Sequence, residues 1–75
     1  MRNDIHILDV VALTEPLPQR GLQQGQVGTV VEDLGSDAYE VEFSDNSGHT
    51  FATAALCAKQ IMVLHYDLVD TGKAI

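Results

Sequence analysis

Gly25-Gln26-Val27-Gly28-Thr29-Val30-Val31-Glu32 is the stretch that decides the fold. It follows the apolar run Leu8-Asp9-Val10-Val11-Ala12-Leu13 and precedes the alternating Tyr39-Glu40-Val41-Glu42-Phe43. Two glycines three positions apart lead straight into β-branched residues. Glycine reaches positive φ without steric cost, so the pair is read as a tight bend that ends a loop and starts a strand. Side chains on a strand alternate with a period of two, which puts Tyr39, Val41 and Phe43 on one face and Glu40, Glu42 and Ser44 on the other. The apolar triplet is expected to face a core, and the whole reads as a small closed β-barrel.

Working outward, residues 8–13 form a first strand of aliphatic and β-branched types. Residues 14–21 interrupt it: Pro16 and Pro18 remove donors and fix φ, making a long loop that Leu17 and Leu22 fold back as an ordered flap. A second strand covers about residues 27–34, and Gly35-Ser36-Asp37 turns the chain into a third strand from Ala38. Asp45-Asn46-Ser47-Gly48 turns it again into a fourth strand at 49–53. Residues 54–60 contain good helix formers but are too few for an independent helix, so one helical turn is expected there. Residues 61–64 complete five strands in the order of an SH3-like barrel. The expected core is Val10, Ala12, Val27, Val30, Tyr39, Val41, Phe43, Phe51, Ile61 and Val63. Residues 1–7 read as a leader and 65–75 as a tail, on a single SH3-like domain over 1–75 with its barrel at about 8–64.

A chain of 75 residues has room for one domain, which buries only about 60% of the surface its unfolded form exposes. Most enzymes set a pocket between layers or domains, so this size favours a module that presents a surface. Hydrophobic residues at 45% and charged residues at 20% are ordinary for a globular protein. Cys57 is the sole cysteine and has no internal partner, whereas small secreted domains lean on several disulfides; a reducing, cytoplasmic setting is expected. No stretch approaches the roughly 20 apolar residues of a membrane span, and the N-terminal segment is interrupted by Asp4 and Asp9. Four basic residues stand against eleven acidic ones, a net charge of −7. Binding nucleic acid through its phosphates needs clustered Lys and Arg, but Arg2, Arg20, Lys59 and Lys73 are scattered, so no direct nucleic-acid partner is expected.

Residues 8–13, the proline-containing loop, Gly21-Leu22, residues 25–32 and residues 39–43 together resemble a small bacterial SH3-like barrel family, domain of unknown function 4926. The resemblance spans about residues 8–64 and rests on the LDVVAL and GxVGTVVE segments in order, with the acidic alternating strand behind them. It implies an SH3-like barrel without an established activity, and no site residues to carry over. A wider similarity runs from Gly25, Gly28 and Val30 to barrels of the KOW type found in ribosome- and transcription-associated proteins. Those that meet RNA are basic at this turn. Here Glu32 and Asp33 follow it, which makes RNA binding the minor reading.

The residues offer little to catalysis. His6, His49, Cys57 and His65 lack the short paired spacing of a zinc site, so neither a metal nor a cofactor is expected. Cys57 lies among Ala55, Leu56 and Ala58 and reads as a small hydrophobe under a turn, while Ser36, Ser44 and Ser47 sit in or beside turns. Glu40 and Glu42 could serve as an acid and a base, but a strand face without a cleft gives no means of separating their pKa values. There is no Trp, and Tyr39, Phe43 and Phe51 are needed inside, which leaves too few aromatics for a proline-peptide groove or a methyl-lysine cage. The turn at Gly25–Gly28 lacks the basic residues of a phosphate cradle. What remains is a non-catalytic interaction module that docks a basic protein through Glu32, Asp37, Glu40, Glu42 and Asp45, for instance an acidic immunity or antitoxin-like protein. The rival is an accessory subunit or assembly factor of a larger enzyme, held through hydrophobic edges and the C-terminal tail. Open edges also allow a homodimer.

Overall fold

Five antiparallel strands make one sheet in the computed structural model, which describes residues 4–45 and 47–65 except for the side chain of Phe51. They are β1 (Val10–Leu13), β2 (Val27–Gly35), β3 (Ala38–Ser44), β4 (Thr50–Cys57) and β5 (Ile61–Val63). Their spatial order is β4-β3-β2-β1-β5. The all-β class, the five strands, the long proline loop and the single helical turn before the last strand are as expected. That turn is a 3₁₀ helix, Ala58–Gln60, and a second one, Pro18–Arg20, lies in the loop. The tail from Tyr66 onward and residues 1–3 lie outside the described residues.

Among the described residues no ladder joins β4 to β5, so the sheet is open rather than closed by strand pairing. Hydrogen bonds outside the ladders fasten its loops and turns. Arg20 Nη1 in the first loop donates to the carbonyl of Thr53 on β4 at 2.6 Å. Thr14 donates through its hydroxyl to the Lys59 carbonyl at 2.8 Å and through its amide to the Gln60 carbonyl at 2.9 Å. The Ala58 amide donates to the Asp37 carbonyl at 2.9 Å, tying the second 3₁₀ turn to the β2–β3 hairpin. The loop is an ordered flap, as Leu17 and Leu22 suggested: they exchange backbone bonds, and Leu22 is buried in the core.

The core centres on Phe43, Val11, Val30 and Val41, all fully buried. Tyr39 and Ile61 are buried as expected, and Val63 packs against the cluster. The phase of β1 is the reverse of the expected one. Val11 and Leu13 point into the core; Val10 is half-buried on the other face, and Ala12 is buried there but outside the core cluster. Val27 is exposed at 48%. The cause is Gly28, which is no part of a bend: Gly25, at φ +87°, makes the turn, and Gly28 lies in β2 as the partner of Val11. A Cβ on Gly28 would stand 2.8 Å from the Phe43 ring. The missing side chain is filled by that ring, which turns Gly28 and Val30 of β2 inward and, with them, Val11 and Leu13 of β1.

Three boundaries also differ from expectation. β1 starts at Val10 because Leu8 is in the left-handed region at φ 78°, which ends an extended run. Of the expected leader, residues 4–7 are described: the His6 amide donates to Asp9 Oδ2 at 2.8 Å in a turn, and Ile5 packs against the core. β4 runs on to Cys57 because β3 offers partners for it as far as Ala38, so Ala54–Cys57 are strand rather than helix. Ser36 and Asp37, at φ 54° and 63°, are the two central residues of the β2–β3 hairpin between Gly35 and Ala38; positive φ at both gives the strands a turn that matches their twist.

Candidate interaction surface

The outer face of the sheet is built in rows of cross-strand partners. One row runs Val10, Thr29, Glu42, Thr53 across β1 to β4, and another runs Glu32, Glu40, Ala55 across β2 to β4. A third runs Met62, Ala12, Val27 across β5, β1 and β2. A β-bulge decides the second row. Val30 pairs with Val41 and Glu32 with Glu40, leaving Val31 as an extra residue. Without it Glu32 would fall opposite Tyr39 on the core side; with it, Glu32 is carried to the outer face.

Of the five acidic residues expected to act together, the fold unites three. Glu32, Glu40 and Glu42 share the outer face, Glu40 and Glu42 half-buried and Glu32 exposed. Asp37 and Asp45 flank β3 at opposite ends, about 25 Å apart at the rise of a strand. Asp45 is engaged in the β3–β4 turn, its Oδ1 accepting from the amides of Ser47 and His49 at 2.9 Å each. The Glu42 carboxylate accepts from the Thr50 hydroxyl. Among the described residues the only carboxylates within 4 Å of a basic side-chain nitrogen are Asp9, with His6 at 3.8 Å, and Asp45, with His49 at 3.7 Å. Arg20 is spent on the β4 edge and Lys59 lies in the second 3₁₀ turn, so the three glutamates have no cation beside them among the described residues.

Beside this acidic column lies an apolar one whose members the sequence pattern assigns to the core or leaves unassigned. Val27 is 48% exposed and Met62 54%. They flank Ala12, and Val10 continues the column in the next row. The signal available is the identity of Gly28 as a strand residue, which fixes the phase of everything paired with it.

Cys57 is half-buried in a hollow of about 240 Å³ bounded by Asp37, Ala58 and Lys59. Gln60 holds it in place. Its Oε1 accepts from the Cys57 amide at 2.9 Å and from the thiol at 3.2 Å, while its Nε2 donates to Glu15 at 3.0 Å. A residue that accepts a helix-capping bond three positions into a turn follows the capping-box spacing, with Cys57 in the place of the usual Ser or Thr. Among the described residues no three His, Cys, Asp or Glu side chains come together as a metal site. The Tyr39 phenol is held above the ordinary tyrosine value, first by burial and then by the charges of Asp33 and Asp37. Asp33 is its cross-strand partner. No helix among the described residues is long and apolar enough to cross a membrane.

The architecture defines the class: a small all-β module with one mixed acidic and apolar sheet face. A family model described as a domain of unknown function (DUF4926) matches residues 7–63, and the chain belongs to that family. No curated protein and no solved structure matches it.

Proposed function

We propose that this chain is a non-catalytic protein-interaction module of a reducing compartment such as the bacterial cytoplasm, and that it docks a partner with a basic surface. The observation that carries this reading is the outer-face group of Glu32, Glu40 and Glu42, which has no cation beside it among the described residues. Like charges placed directly opposite each other destabilise a sheet, and Glu32 and Glu40 are such a pair. The fold carries that cost at a position where Thr or Gln would remove it, which is the pattern of a surface kept for binding. With a net charge of −7, the field of the whole body steers basic partners toward it. A small acidic protein covering the basic active site of a nuclease, as immunity and antitoxin proteins do, is a specific form of this reading. The strand order and the 3₁₀ turn before β5 support an SH3-like barrel as its frame.

Affinity capture of the tagged protein from its native lysate at low and moderate salt tests the proposal, with Glu40→Lys/Glu42→Lys as the comparison. Retention of a basic protein that is lost with salt and in the double variant is the expected outcome. Capture that survives both favours the second reading, an accessory subunit or assembly factor. The exposed Val27 and Met62 support that alternative. Edge pairing into a homodimer has less to work with on β4, where Arg20 occupies the Thr53 carbonyl and Gln60 the Cys57 amide.

A further inference from the structure

We infer that the element docked on the outer face is an amphipathic helix of the partner, apolar along the side laid on Val10, Val27 and Met62 and lined with Lys or Arg along the flank over Glu32, Glu40 and Glu42. This rests on the acidic-face reading and adds the form and second chemistry of the partner. The apolar row crosses β5, β1 and β2 over two strand spacings, about 10 Å, with Glu42 one row further along the strands, about 7 Å, and Glu32 and Glu40 two rows further, about 14 Å. A helix is about 10–12 Å across with its side chains, so one helix covers the apolar row and brings one flank over the glutamates. An extended segment laid along the same row is about one strand spacing wide and leaves the rows of the glutamates uncovered. Charge complementarity argues against a second copy of this chain as the occupant. Two bodies of −7 would meet, and neither Arg20 nor Lys59, the basic residues among those described, lies in any of the three rows.

The test is fluorescence anisotropy of the full chain with three synthetic peptides of about 18 residues, long enough to hold a helix. One is an amphipathic Leu/Lys helix, one a Lys/Ser peptide of equal charge, and one an amphipathic Leu/Glu helix. The Leu/Lys peptide is expected to bind best. Its affinity should fall by about tenfold in Val27→Ser/Met62→Ser and again in Glu40→Lys, the scale on which interface anchors act. The charge-matched control Asp4→Lys, at a position in none of the three rows, should leave binding unchanged. All four substitutions fall on exposed or half-exposed positions, and a thermal melt of each variant verifies folding. If the Lys/Ser peptide binds equally well and ignores Val27→Ser/Met62→Ser, the helix inference fails while the acidic-face reading stands. If the Leu/Glu helix binds as well as the Leu/Lys helix, both fail. If the chain alone sediments as a dimer that Val27→Ser/Met62→Ser dissociates, the occupant is a second copy and the inference is overturned. If Leu68→Ser/Val69→Ser raises the affinity for the Leu/Lys peptide by about tenfold, the face belongs to the chain's own C-terminal segment, and the inference is overturned likewise.

Discussion

Gly28 and Phe43 fit together as an absence and a ring: the position a Gly28 Cβ would occupy is 2.8 Å from Cδ1 and Cε1 of Phe43 and 2.8 Å from the carbonyl oxygen of Glu42. A ring can tilt, but the carbonyl belongs to the β3 backbone and can move only if the β2–β3 ladder moves. Gly28→Ala is therefore expected to destabilise the fold by about 1–3 kcal/mol, the range of overpacked cores. A domain of this size loses roughly 4–8 °C per kcal/mol. Urea and thermal unfolding read the effect. An unchanged midpoint would show that Phe43 does not fill the space.

Glu40→Lys replaces a repulsion with an attraction, because Glu32 is its cross-strand partner. The expected change is a gain in stability of about 0.2–1 kcal/mol, smaller in high salt. Coupled with loss of partner capture, that gain would identify Glu40 as a residue retained for binding against the interest of the fold. Chemical denaturation at two salt concentrations measures it.

Gln60 joins the β4 end, the second 3₁₀ turn and the first loop, and Gln60→Ala leaves the Cys57 amide and thiol without their shared acceptor. A cost of about 1–3 kcal/mol is expected for the unpaired, partly buried groups. The thiol should also react faster with a maleimide. Gln60→Glu in a Glu15→Gln background, where residue 15 can donate in return, keeps an acceptor at the same place and should retain most of the protection. Timed labelling of the three proteins, followed by intact-mass measurement, separates these outcomes.

Tyr39 makes stability fall at alkaline pH. Its phenol is raised above the ordinary value in the folded state by burial and by Asp33 and Asp37. The folded chain therefore holds the proton to higher pH than the unfolded chain. This contribution is fully present below the unfolded tyrosine pKa, about 10, and is lost as pH rises from there through the folded value. In a Tyr66→Phe background, ultraviolet titration of the phenolate follows Tyr39 alone. Asp33→Asn should bring its titration closer to the ordinary value, and Tyr39→Phe should flatten the alkaline decline of the unfolding midpoint.

How much of the fold is legible in the sequence depends on whether a strand carries a polar marker of its phase. In β3 the glutamates at 40 and 42 alternate with Tyr39, Val41 and Phe43, and that alternation alone assigns the two faces. Turn residues at 35–37 and 45–48 bound the hairpins, because glycine, aspartate and serine satisfy the backbone where the ladder stops. The five strands and the all-β class follow from those local signals. The run Val10-Val11-Ala12-Leu13 has no such marker: either phase is apolar, so the sequence by itself leaves the choice open. Pairing with Gly28, and the ring of Phe43 behind it, settles that choice. The alanines after Thr53 are equally ambiguous, and the free length of β3 draws them into β4 as far as Cys57. The candidate surface divides in the same way. Sequence alone determined that Glu40 and Glu42 share a face. Only the tertiary structure brought Glu32 to them, since a bulge at Val31 shifts the register by one residue and side chains change face at every step. The same pairing moved Val27 out of the core and into line with Ala12 and Met62, because faces are decided between strands and not within them.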